Sequence, residues 1–134
     1  DGIWWMSNRS PPATTPQLVE PGIHGLSNEL LNTPWPKVVR GRDALREMLS
    51  DSPINPAALF QLVRDDTPAP AGRAPLEGFS TEWESALSAP FVRTPSYGTR
   101  ASTVLLIGRD GTGRMIERRF DAAGDPVGER TVAW

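Results

Sequence analysis

Few residues in this chain are equipped for chemistry, and their types narrow what that chemistry is. His24 is the only histidine. It sits in the glycine-rich stretch Pro21-Gly22-Ile23-His24-Gly25. A lone histidine in such a turn serves structure, or supplies the single axial imidazole that suffices for a haem. With no cysteine present, a cysteine nucleophile, a disulfide and Cys-type zinc sites are excluded within the chain, and no metal site is expected. Sequence neighbours assemble no Ser-His-Asp set, since such a triad is defined in space. Arg100 stands just ahead of an apolar run, in Tyr97-Gly98-Thr99-Arg100. At a strand mouth a guanidinium holds a carboxylate or phosphate bidentately, or pairs with a loop acid. Lys37 falls at a helix start, where a cation opposes the macrodipole, so an ion pair or a ligand is expected beside it. Asn28 precedes the turn Asn32-Thr33-Pro34 and suits capping the entry to the helix at Trp35.

These side chains need a scaffold, and composition describes it. The chain has 134 residues, 38% hydrophobic and 22% charged, which fits one globular domain or a large piece of one. The net charge is −2. The arginines are interleaved with acids, as over Arg114 to Arg119, so the basic cluster that phosphate binding requires is absent and no nucleic-acid partner is expected. No run of 18 apolar residues marks a membrane span, and no signal peptide is visible. A cytoplasmic protein is the expectation.

Periodicity places the residues on elements. Ile3 to Ser7 and Gln17-Leu18-Val19 read as short strands around a proline-rich loop over Ser10 to Pro16. Pro36 suits a first helical turn, and Val38, Leu45, Met48 and Leu49 share one face at helical spacing; Ser50-Asp51-Ser52-Pro53 ends that helix. Asn55 caps a second helix with Leu59, Leu62 and Val63 as its stripe. Asp65 to Phe79 is a long loop, of the length that is functional or mobile in compact domains. Thr81-Glu82-Trp83-Glu84 fits a capping box with Thr81 as cap and Glu84 reaching back. Thr103 to Ile107 is a continuous apolar run, expected to be a strand buried on both faces. Asp110-Gly111-Thr112-Gly113 turns it into Arg114 to Asp121, and Val127 to Trp134 completes an antiparallel meander. Trp35 and Trp83 read as packing residues, and Gly22, Gly25 and Gly98 as turns of positive φ. The fold class is α+β, helices packed on an antiparallel sheet.

Three stretches resemble the NRDE family, also called the Transport and Golgi organisation two family. They are Pro21-Gly22-Ile23-His24-Gly25-Leu26-Ser27-Asn28 with Leu31-Asn32-Thr33-Pro34-Trp35-Pro36-Lys37; Thr81-Glu82-Trp83-Glu84 through Ser88 with Tyr97-Gly98-Thr99-Arg100-Ala101-Ser102-Thr103; and Glu117-Arg118-Arg119-Phe120 through Gly124. Ser7-Asn8-Arg9 is similar to the step that precedes the first. The resemblance implies that residues 1–134 are the C-terminal portion of one domain, a partial αββα sandwich of the N-terminal-nucleophile-hydrolase kind. The name-giving Asn-Arg-Asp-Glu motif and the family's leading cysteine would lie in an N-terminal half outside this chain, which would also be its partner. Asp1 cannot replace that nucleophile, so the chain by itself is expected to be inactive. By analogy with choloylglycine-type amidases of similar fold, the resemblance implies that Asn28 donates its amide to an oxyanion, a contribution typically worth about 3 kcal/mol, and that Arg100 lies beside the nucleophile. An amidase or acyltransferase on a small substrate is one function implied, requiring no cofactor. The other is a carrier of a small ligand, since eukaryotic members are linked to haem trafficking, lipid and acyl-CoA metabolism, and Golgi and secretory organisation; His24 would then bind haem.

Overall fold

The computed structural model describes residues 2–9, 15–50, 53–70 and 78–134. Asp1, most of the expected proline-rich loop, Asp51-Ser52 of the helix stop, and residues 71–77 of the long loop lie outside the described residues. Strands β1 (Trp4–Trp5) and β2 (Gln17–Leu18) pair antiparallel, followed by helices α1 (Pro36–Ser50), α2 (Pro56–Val63) and α3 (Thr81–Leu87), then strands β3 (Ala101–Ile107), β4 (Gly113–Phe120) and β5 (Pro126–Ala133). The last three form an antiparallel sheet in the order β3-β4-β5. The molecule is a mixed α+β protein.

Turn chemistry fixes the sheet. Between β3 and β4, the Asp110 carboxylate accepts from the Thr112 amide at 3.1 Å and its hydroxyl at 2.7 Å, and Gly111 takes φ 83°. Between β4 and β5, Asp121 accepts from the Ala123 and Asp125 amides, both at 2.9 Å, and Gly124 takes φ 82°. These carboxylates replace backbone pairing at places where only glycine bends without strain. A register shift at Arg119/Phe120 marks a bulge before the second turn.

The core lies between α2 and the inner face of this sheet. Phe60 of α2 meets Val104 and Ile116, with Leu59, Val63 and Leu106 around them. Phe91 and Phe120 extend it edge to face, with ring centres 4.9 Å apart. Arg64 lies over both rings at 5.3 and 5.1 Å. Arg118 covers the Phe60 ring at 4.0 Å and pairs with Glu129 at 2.7 Å, a cation closing the apolar cluster where the sheet meets water.

Several expectations are corrected. β3 is buried on one face only: Val104 is buried, whereas Leu105 is 53% and Ile107 65% exposed. An unbroken apolar run does not distinguish a doubly covered strand from one whose outer residues are bare. Leu49, near the end of α1, is exposed, whereas Val38, near its start, is buried. Ser80, not Thr81, caps α3, accepting from the Trp83 amide at 3.4 Å. Among the three glycines expected at positive φ, only Gly22 has it, at 155°. Gly25 and Gly98 are needed for close approach instead: a Cβ would stand 2.8 Å from Val38 Cγ1 and 3.0 Å from the Val92 carbonyl oxygen, respectively.

Candidate functional site

The segment between β2 and α1 builds the site, and Asn32 is what shapes it. Asn32 adopts φ 63°, a region that asparagine tolerates better than most residues. Its backbone amide donates to the Gly25 carbonyl at 2.8 Å, and its side-chain oxygen accepts from the Gly25 amide at 3.1 Å. Its side-chain nitrogen lies 2.9 Å from His24 Nδ1, while His24 Nε2 lies 2.8 Å from the Glu20 carbonyl oxygen. A carbonyl only accepts, so Nε2 carries the proton and Nδ1 accepts from Asn32, the arrangement of a neutral imidazole. Both ring nitrogens of His24 are therefore engaged. Arg42 closes the loop from α1, donating to the Ile23 carbonyl at 3.0 Å.

This clasp leaves Asn28 at the crest of the loop. The expected cap on the Trp35 helix is not its role: α1 begins on the Trp35 carbonyl, which accepts from the Val38 and Val39 amides at 2.9 and 3.0 Å. The Asn28 carboxamide is exposed and bonds to no other described residue. It lines an open cleft of about 770 Å³ together with Ser27, Trp35 and Leu87, whose apolar walls are Met6, Leu26 and Phe79. Ser7-Asn8-Arg9 borders the same cleft, so that step meets the Leu26-Ser27-Asn28 stretch and Trp35 in space, with Leu87 of the second stretch.

The partner of Lys37 among the described residues is a backbone carbonyl, not the ion pair or ligand expected beside it. Its ammonium donates to the Leu87 carbonyl at 2.9 Å, tying the start of α1 to the end of α3, where a cation is favoured. Half-burial pushes its pKa below the ordinary lysine value. Lys37, Asn28 and Trp35 together line a second, small hollow of about 20 Å³. The indole nitrogen of Trp35 is buried and has no hydrogen-bond partner among the described residues.

Arg100 is elsewhere. It lines a separate hollow of about 240 Å³ with Tyr97, Arg93 and Asp121, and Asn28 is not among the residues of that hollow. His24 lines a fourth depression, shared with Asn28, Lys37 and Arg42. Ser27, Asn32 and Phe79 were not singled out by sequence reasoning. The signal for Asn32 was the Asn-Thr-Pro turn, where asparagine is the residue type that bends to positive φ. Phe79 gave no signal, being an isolated aromatic in a long loop.

The mixed α+β frame is the fold class expected for this chain. The model of the family Transport and Golgi organisation 2 matches residues 1–122, and the chain belongs to that family. It is 33% identical to the human Transport and Golgi organization protein 2 homolog, over 88% of this chain and 45% of that protein. The bovine homolog is 35% identical over 95% of this chain and 48% of its own length. The chain thus spans about half the length of the curated relatives it matches. No helix among the described residues is long and apolar enough to cross a membrane, and no cluster of three or more metal-ligating side chains occurs among them.

Proposed function

We propose that this chain is part of an acyl-transferring or amide-hydrolysing domain in which Asn28 stabilises the oxyanion. The observation that carries this reading is the Asn28 carboxamide, unspent on structure and held at a partly apolar cleft by the Asn32 clasp. The clasp orders the loop that carries this donor, and a donor placed before reaction stabilises developing charge with less reorganisation. The nucleophile is assigned to a leading cysteine supplied by chain beyond these residues. Its thiolate attacks the acyl carbon, the amide nitrogen leaves with a proton from the chain's terminal amine, and water then cleaves the acyl thioester to a carboxylic acid. Arg100 lines a different hollow, so the reading rests on Asn28 and does not require Arg100.

The bare outer face of the β3-β4-β5 sheet is assigned to the other half of the family-length domain. The test is intact-mass analysis of the family-length protein with a panel of amides and acyl thioesters. An acyl adduct on its first residue is expected, and Asn28→Ala is expected to lower turnover by about two orders of magnitude with little change in melting temperature. Equal losses of both refute the role.

A carrier without catalysis is the second reading, favoured by the openness of the same cleft and its apolar walls. Haem bound through His24, which borders a neighbouring depression and not this cleft, is its specific form. Ligation would have to displace the bond to Glu20 or to Asn32. Haem titration therefore discriminates: a Soret shift abolished by His24→Ala supports it, and an unchanged band excludes it.

A further inference from the structure

The small hollow beside Asn28 brings several hydrogen-bond donors together. Its volume of about 20 Å³ holds roughly one water-sized atom. Its lining includes the Asn28 amide, the Lys37 ammonium and the Trp35 indole nitrogen, the last buried without a partner among the described residues. Ser27 adds a hydroxyl, the Ser88 hydroxyl accepts from the Ala69 amide and donates to the Ser85 carbonyl, and the Leu87 carbonyl accepts from Lys37. Lys37 spends one of its three protons on the Leu87 carbonyl, which leaves two. A buried N–H without an acceptor is costly, and a buried ammonium is penalised until a counter-charge approaches. An oxygen atom bearing negative charge answers both. The hollow shares Ser27, Asn28, Trp35 and Leu87 with the large cleft, so an oxygen lodged in one can belong to a molecule lying in the other. The cleft's apolar walls, Met6, Leu26 and Phe79, are all exposed and suit an aliphatic body.

We propose that the hollow between Asn28, Trp35 and Lys37 receives one carboxylate oxygen of an aliphatic monocarboxylic acid whose chain lies along Met6, Leu26 and Phe79. This deepens the acyl-transfer reading and rests on it for its meaning, because a carboxylic acid is what hydrolysis of the acyl intermediate releases. Lys37 is a binding group here, and Trp35 a reporter as well as a donor.

The experiment is heteronuclear NMR of the indole N–H groups of the family-length protein, titrated with octanoate and, separately, with octan-1-ol. This chain contributes five tryptophans to it, and Trp35→Phe identifies the resonance concerned. With octanoate that resonance moves downfield, saturably, as the indole gains an acceptor; with octan-1-ol it stays in place. Lys37→Met weakens octanoate binding about tenfold, the loss of one charge-assisted bond. Should Lys37→Met fail to fold, the titration of the unaltered protein decides alone. An unmoved resonance at saturating octanoate overturns the proposal, as does an equal shift with octan-1-ol, which would mean apolar filling only. Acyl adducts without the indole shift remove the carboxylate hollow and leave acyl transfer standing. The shift without adducts does the reverse.

Discussion

At the scale of single residues, Asn32 governs the site although Asn28 is the one that faces it. Asn32 combines a left-handed backbone with three bonds to the His24-Gly25 step. Asn32→Ala loses both side-chain bonds and keeps a strained φ, which predicts a loss of about 2–3 kcal/mol from the strain and bond terms together. Asn32→Gly relieves the strain and loses only the bonds, so it should cost about 1 kcal/mol less. Chemical denaturation of the two variants checks the order; equal losses would mean that the φ carries no cost. The sequence drew attention to Asn28 through its place in a motif and to Lys37 through its misfit at a helix start. It could not show Asn32 as the clasp, because that role depends on a loop folding back across seven residues. Nor could it separate Arg100 from Asn28, since adjacency to a strand end does not say which side of the molecule that end occupies.

At the scale of elements, the helices were legible because their stop and start signals are local. Asn55 accepts from the Ala57 amide at 2.9 Å, ahead of Pro56, and Asn55→Ala should cost α2 about 1 kcal/mol. For α3 the cap moved by one residue, to Ser80, because two adjacent hydroxyl residues carry the same signal. Phe60 was less legible: its stripe was read through Leu59, Leu62 and Val63, yet Phe60 is the residue that reaches the sheet. Phe60→Ala is expected to cost about 3–5 kcal/mol, more than Leu62→Ala, measurable by thermal melting. The join between α1 and the segment after α2 has a pH signature. Burial would raise the pKa of Asp65, but bonds from the Thr67 hydroxyl and amide, with the charge of Arg40 3.3 Å away, outweigh it and lower the pKa below 3.8. Because the folded value is depressed, the contribution is fully present above the unfolded value and is lost as pH falls through the folded one. Both groups are about one-third exposed, so it amounts to at most about 1 kcal/mol. Asp65→Asn should lower stability at neutral pH and flatten the acid limb of the stability profile; an unchanged acid limb would remove Asp65 from that account.

At the scale of the whole molecule, one sheet face carries the core and the other is bare. Leu105, Met115 and Val132 stand opposite one another across the three strands, all exposed. Beside them Ile107 is uncovered, and the Trp134 ring lies over Gly113, where a Cβ would collide with it. The unbroken apolar run predicts a strand covered on both faces, and the described residues cover one. A contiguous apolar patch of this kind drives association in water, and the sheet's two outer strands leave open edges. The chain alone is therefore expected to self-associate and to bind a hydrophobic dye. Leu105→Thr combined with Ile107→Thr keeps β-forming residues and removes exposed apolar area. It should reduce association and dye binding while changing stability by no more than about 0.5 kcal/mol per site, as for ordinary surface positions. Gly113→Ala should displace the Trp134 ring and shift tryptophan emission to the red without touching the inner core. If the threonine pair instead lowers stability by several kcal/mol, the outer face is packed in solution by the chain itself. A sharp, cooperative melt of a dye-free monomer would carry the same meaning, because two apolar faces then find cover within one molecule.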